Sequence, residues 1–213
     1  TPESVAHLDS LLKNPLYRNM HYTFFVAENG RGEVLGFAEM SHAGDANFCF
    51  LDLIGLRKTR AGRGIGSALY RRVREEALHL RSVGIFMECL TDDPKAFPDK
   101  AVLKENRSRL KFYEQSGARP LMIPSYEANS LRHYPNPYFL LFDDIGTGRG
   151  LPLLKARKIV RAVLERKYAG DCTEKDIRTL LLSMREDPVP VRPPRYLRHE
   201  SSNHRFSVPV KRK

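Results

Sequence analysis

The chain has 213 residues, 36 of them Lys or Arg and 25 Asp or Glu, for a formal net charge of +11. Its 41% hydrophobic content suits one compact domain with an appendage, and no apolar run approaches the ~18 residues of a membrane helix. Cys49, Cys89 and Cys172 are odd in number and lack metal-ligand spacing, so they read as reduced thiols of a cytoplasmic protein with no metal site and no membrane partner.

In chain order, Thr1-Pro-Glu-Ser carries N-cap chemistry for a helix over Val5 to Leu12 and does not read as a secretory leader. The absence of an initial Met points to a trimmed chain or a fragment. Tyr22 to Ala27 and Val34 to Met40 read as strands paired across the turn Glu28 to Gly32. Phe48 to Leu56 continues the sheet. A basic turn follows, then glycines, then a helix with Leu69, Val73, Ala77 and Leu80 on one face. Ile85 to Leu90 is a strand, and Asp92 to Asp99, with two prolines, is a loop. A helix opens at Asn106, with Leu110 and Tyr113 on one face and Gly117 suited to a left-handed C-cap. Pro120 to Ile123 and Tyr138 to Phe142 form the last strands, and His133, Tyr134 and Tyr138 lie on the connection between them, which reads as loop filler or as a segment shaping a pocket.

The most informative stretch is Leu51 to Leu69. An apolar strand ends near Leu56, and Gly62-x-Gly64-x-Gly66 then leads into a helix. Convergent backbone N–H groups at a helix N-terminus make an anion site. A nucleotide P-loop is excluded because no Lys-Ser or Lys-Thr follows the glycines. A dinucleotide fingerprint would use Glu88 as its distant acid, but Ser67 occupies the third glycine position and Arg57 to Ala61 separate strand from glycines.

Ala61-Gly-Arg-Gly-Ile-Gly66 resembles motif A of the GNAT N-acetyltransferase superfamily, [Q/R]-x-x-G-x-[G/A] after an apolar strand, with Ala61 in the first position and Arg60 one residue early. Asn106 to Ala118 resembles motif B of the same family, with Asn106, Tyr113 and Gly117 in register, Arg109 in place of a small residue and Ala118 in place of Phe. The resemblance covers about residues 1–145. It implies an α/β fold with a mixed, mostly antiparallel central sheet flanked by helices, acetyl-CoA (coenzyme A) as cofactor, and transfer of acetyl to a primary amine by direct attack. The family fold opens with a strand ahead of its first helix, and no candidate for that strand is found here.

The resemblance implies that Ala61, Gly62, Arg63, Gly64, Ile65, Gly66 and Ser67 hold the pyrophosphate, that Asn106 contacts the pantetheine arm, and that a backbone N–H near Leu56 serves the oxyanion. An N-cap is the alternative role for Asn106. Tyr113 is the general-acid candidate, since an ordinary tyrosine is protonated at neutral pH and can protonate the thiolate; a core tyrosine is the alternative. Asp52, placed by strand periodicity on the face of Ile54 and Leu56, is the leading candidate for the base. Glu39 and Glu88 on neighbouring strands are its rivals. Cys89 as a nucleophile lacks a suggested histidine partner.

Beyond Gly146 two helices are expected, Leu154 to Tyr168 and a second opened by the capping box Thr173 to Asp176 and running through Met184. Their apolar faces require packing on the main domain or on a partner. Residues 1–150 carry a net charge of +2 and residues 151–213 carry +9. The boundaries read as 1–145 for the acetyltransferase-like domain, 146–187 for a helical extension and 188–213 for a basic, Pro-rich tail. The acceptor is a small polyamine-like amine or a protein lysine, with a homodimer as the assembly considered. Two other classes stay open. One is a non-catalytic acyl-CoA-binding module, and the other is nucleic acid or an acidic partner held by the tail. A helix-turn-helix DNA reader across the linker Ala169 to Cys172 is a further alternative.

Overall fold

The structure is a computed structural model and describes residues 16–57, 64–127, 136–168 and 172–197. The expected helix over Val5 to Leu12, the loop residues Ala61, Gly62 and Arg63, the connection at His133 and Tyr134, the linker 169–171 and the tail from 198 onward lie outside the described residues.

The apolar stretches pair into one seven-stranded sheet of β1 (Leu16–Tyr17), β2 (Met20–Glu28), β3 (Val34–Ala43), β4 (Phe48–Leu56), β5 (Ile85–Leu90), β6 (Arg119–Pro120) and β7 (Tyr138–Asp143), in the order β1-β2-β3-β4-β5-β7-β6. Every neighbouring pair is antiparallel except β4 and β5, which run parallel. The helices are α1 (Ile65–His79), α2 (Lys100–Gln115), α3 (Pro124–Glu127), α4 (Leu153–Lys167) and α5 (Glu174–Ser183). This is the mixed, mostly antiparallel sheet flanked by helices that the motifs imply.

Both sheet faces are apolar because both are covered. Phe48, Phe50, Phe86 and Leu140 point to one side, where Ile159, Val160, Val163 and Leu164 of α4 and Ile177 and Leu180 of α5 meet them. Cys49, Leu51, Ile85, Met87 and Leu141 point to the other side, against Leu69, Tyr70 and Val73 of α1 and Leu110 and Tyr113 of α2. The extension helices therefore bury their apolar faces on the main sheet. The Thr173 capping box forms as expected: the Asp176 backbone N–H donates to Thr173 Oγ1, and Asp176 accepts from the Thr173 backbone N–H at 3.1 Å.

Two boundaries differ from the sequence expectation. α2 begins at Lys100 because Asp99 caps it, accepting from the N–H groups of Ala101 and Val102 at 2.7 and 3.2 Å. Asn106 is therefore inside the helix and is not its N-cap. Gly117 ends the same helix with φ +105°, and the Ala118 N–H returns to Tyr113 O, as a left-handed cap requires. The strand expected over Pro120 to Ile123 shortens to Arg119–Pro120, and Leu121 bridges Val191 instead.

That bridge belongs to a strap. Residues 188–197, the start of the stretch expected as a basic, Pro-rich tail or linker, run along β6 and dock on α2. Met122 N–H donates to Pro190 O and Arg192 N–H to Pro120 O, both at 2.8 Å. The Arg192 guanidinium is buried, binding Asp92 at 2.8 Å and Glu114 at 3.2 Å, and Glu114 also accepts the N–H groups of Arg195 and Tyr196. Burial alone would raise the Asp92 pKa, but the Tyr196 hydroxyl and Arg192 outweigh it and hold the carboxyl below its ordinary value. Removing one partner of a buried ion pair leaves the other charge uncompensated. Arg192→Met is expected to lower unfolding free energy by about 3–5 kcal/mol, measured by urea denaturation.

Candidate active site

Two irregularities of β4 build the site. Glu39 and Met40 of β3 face Leu53 and Leu51 of β4, so Asp52 is an extra, bulged residue. The bulge switches the strand's alternation: Cys49 and Leu51 share a core face with Ile54 and Leu56. Asp52 is therefore not on the face of Ile54 and Leu56, as period 2 alone would have it; it points to the opposite side, toward α4. The second irregularity is that β4 pairs with β5 only at Cys49↔Ile85 and Phe50↔Phe86, although both strands continue. Beyond Phe50 they part, and a cleft of about 720 Å³ opens between them, lined among others by Leu51, Asp52, Ile54, Leu56, Glu88, Arg109, Phe112 and Tyr113.

On the α4 side of the sheet the three candidate carboxylates come together, from three adjacent strands. Asp52 accepts from Ser41 Oγ at 2.6 Å and pairs with Lys167 Nζ at 2.6 Å. Glu88, two residues beyond Phe86, accepts from the hydroxyls of Tyr126 and Tyr168, one on each oxygen. Glu39 is buried behind Asp52 and does not line the cleft; burial, reinforced by the Asp52 charge and opposed by Lys167, raises its pKa to about 7. Asp52 and Glu88 reach the cleft itself.

The opposite wall comes from α2. Tyr113 is 8% exposed and packs edge-on against Tyr70 and Phe112. Burial pushes its hydroxyl far above the ordinary tyrosine value, so it is protonated throughout the physiological range. Arg109 lines the cleft beside it, paired with Glu105 one turn earlier. Asn106 is buried, and its amide donates to Thr91 O at 3.1 Å, tying α2 to the segment after β5. Of the glycine loop, Gly64 caps α1 with φ +78° and no side-chain cap, and Ile65, Gly66 and Ser67 form the first turn, which carries no acidic residue. A Cβ at Gly66 would sit 3.4 Å from Leu56 and 3.6 Å from Phe112, two cleft residues, so the N-terminus of α1 stands at the cleft's end.

This geometry fits an extended thioester cofactor such as acetyl-CoA. Past Phe50, β4 has no partner strand on its β5 side among the described residues, so its backbone edge is available to a chain bearing amides, and the first turn of α1, with no side-chain cap at Gly64, lies where its N–H groups can meet an anionic group. Cysteine chemistry has no support, since burial raises the Cys49 and Cys89 thiols to about 11 and about 12. Sequence reasoning missed Ser41, Tyr126, Lys167 and Tyr168. They carry no motif, and only packing brings α3 and α4 to the sheet. Among the described residues no helix is long and apolar enough to cross a membrane.

Comparison with known proteins agrees with this architecture. Residues 2–118 match the family model described as the acetyltransferase (GNAT) family. No curated protein matches significantly. A protein described as a GNAT-family acetyltransferase from Desulfovibrio desulfuricans aligns with a TM-score of 0.51 and 18% identity, over 68% of this chain and 83% of that one. An aminoglycoside 6'-N-acetyltransferase complexed with coenzyme A gives 0.49 and 16%, over 68% and 81%. Nourseothricin acetyltransferase gives 0.43 and 18% over 57% of this chain, and the match spans 64% of that protein's length. The family model covers more than half of the chain, and the chain belongs to the GNAT acetyltransferase family.

Proposed function

We propose that the chain is an N-acetyltransferase that moves acetyl from acetyl-CoA to a primary amine. The observation that carries this reading is a single cleft, at the parting of β4 and β5, with a protonated tyrosine on one wall and two carboxylates on the other. When bound, acetyl-CoA supplies the activated acetyl thioester. The open edge of β4 from Leu53 to Leu56 would bind and orient its extended arm, and the first turn of α1 would hold its phosphates together with the glycine loop; Leu56 stands at that phosphate end, so a β4 N–H nearer the parting of the strands, and not one near Leu56, would serve the acyl oxygen. Tyr113 would hold the proton that the departing sulfur takes up.

On the other wall, Asp52 and Glu88 attract an ammonium and take its proton, directly or through water, which frees the amine to attack. Glu39 behind them holds a proton near neutrality. Carboxylates at this end favour a cationic acceptor, either a small polyamine-like molecule or a protein lysine. The buried thiols of Cys49 and Cys89 suit a reducing compartment such as the cytoplasm. The basic C-terminal segment supports nucleic-acid binding less than its charge suggests: Arg192 and Arg195 pair with Asp92, Arg166 with Asp45, and Arg161 with Glu165 and Glu174.

Calorimetric titration with acetyl-CoA, followed by a coupled thiol-release assay over a panel of diamines and lysine peptides, tests the reading; absence of acetyl-CoA binding would refute it. Tyr113→Phe is expected to reduce kcat by about 10²–10⁴-fold with acetyl-CoA affinity retained. Glu39 supplies a pH-dependent check on the carboxylate side. Because its folded pKa lies above the unfolded value, it contributes stability at low pH that is lost as pH rises from 4.5 through about 7. Glu39→Gln should therefore match the wild type near pH 5 and exceed it at pH 8, with a difference in Tm that grows across that window, followed by calorimetry.

A further inference from the structure

Helix α4 lies outside the matched residues 2–118, yet its last residue and the one after it each bind a carboxylate of the site. Lys167 Nζ contacts Asp52 Oδ1 and stands 3.8 Å from the centroid of the Phe50 ring. The Tyr168 hydroxyl donates to Glu88. We propose that Lys167 and Tyr168 are positioning residues that hold Asp52 and Glu88 at the acceptor end of the cleft, so that the C-terminal helix completes a site the matched domain leaves incomplete. The acetyl-transfer part of this inference rests on the function proposed above.

Anchoring alone does not require these contacts. Ile159, Val160, Val163 and Leu164 already bury α4 on the sheet. The Lys167 and Asp52 side chains are only 17% and 13% exposed, so both ions are largely taken out of water, which is unfavourable unless their geometry and remaining hydrogen bonds compensate. Here they do. Both oxygens of Asp52 are engaged, one by Lys167 and one by Ser41, and both oxygens of Glu88 are engaged, one by each tyrosine. Carboxylates held at both oxygens keep one orientation, which is what a preorganised acceptor site needs.

The charges balance in the same way. Among the described residues the groups facing this space are Glu39 and Ser41 from β3, Asp52 from β4, Glu88 from β5, Tyr138 from β7, Tyr126 from α3, Lys167 and Tyr168 at the end of α4, and Cys172 beyond it; across the cleft stands Arg109 of α2, paired with Glu105. On the α4 side three carboxylates thus meet one ammonium. Lys167 limits their mutual repulsion and still leaves the space net negative toward a cationic acceptor. Removing that ammonium raises the energy of the ionised form of Glu39, which sits beside both Asp52 and Lys167.

The test is a ¹³C carboxyl NMR titration of the full chain without cosubstrate, comparing wild type, Lys167→Met and Lys167→Arg. The Glu39 midpoint is expected to rise by about one unit in Lys167→Met and to return to the wild-type value in Lys167→Arg. An unchanged midpoint in Lys167→Met would overturn the role. If Lys167→Met does not fold, Lys167→Gln, which keeps a hydrogen-bonding group but no charge, gives the same measurement. In turnover, the acid limb of kcat/KM should move in Lys167→Met, which takes the ammonium from beside the proton-accepting carboxylates, and be restored in Lys167→Arg. An equal loss at every pH in both variants would mark a purely structural residue and overturn the proposal. Tyr168→Phe should raise KM for the amine about fivefold with acetyl-CoA affinity unchanged, whereas equal weakening of both cosubstrates would count against it. A wild-type chain that binds acetyl-CoA but acetylates no amine overturns the acetyl-transfer reading alone, because the carboxyl titration decides the positioning role without turnover.

Discussion

The parting of β4 from β5 after Phe50 and Phe86 is the constraint on which the rest of the molecule depends. A parallel pair zipped along its whole length would leave no cleft and no free strand edge. Parting the strands exposes backbone groups that must find other partners, a state that persists only where a ligand or solvent satisfies them. The opening is held by large residues on either side: Phe48, Phe50 and Phe86 on one face, and Leu110, Phe112 and Tyr113 of α2 on the other.

The bulge at Asp52 gives the opening its chemical asymmetry. Asp52 keeps the α4 side that alternation from Phe48 and Phe50 gives it. The extra residue turns the apolar positions Ile54 and Leu56 away from that side, toward α1 and α2. The cleft thus has an apolar, aromatic wall bearing one protonated hydroxyl and a wall bearing fixed negative charge. Burial acts in the same direction on both sides, raising Tyr113 and Glu39 above their ordinary values. For the tyrosine this secures the proton it would donate. For Glu39 it brings the titration to neutrality, where a proton can be taken up or released.

The segments outside the matched domain are integral to this arrangement. Helices α4 and α5 cover a sheet face that would otherwise expose Phe48, Phe50 and Phe86 to water. The strap 188–197 closes the β6 edge and anchors α2, the helix that carries Tyr113, through Arg192 and Glu114. Arg166, Lys167, Arg192 and Arg195 of the C-terminal part pair with Asp45, Asp52, Asp92 and Glu114 of the main domain, which offsets part of the surplus of +9 over residues 151–213.

Local signals in the sequence were enough to determine β4 and β5 to the residue, the hairpin of β2 and β3, the Thr173 capping box, the Gly117 helix end and both GNAT motifs, because periodicity, caps and glycine-dependent turns are properties of neighbouring residues. The list of candidate carboxylates was legible too, since each is an acid embedded in an apolar strand. Other features had no local signature. A bulge shows only against its partner strand, so periodicity grouped Asp52 with Ile54 and Leu56, which the structure turns to the other side. The cap at Asp99, which moved Asn106 inside its helix, competed with an equally plausible cap seven residues later. Lys167 and Tyr168 look like the unremarkable end of an amphipathic helix until that helix is laid across the sheet. Only the tertiary structure joined the carboxylates of three strands to one helix end, because charges meet across space by packing, and packing is not written in the spacing of residues along the chain.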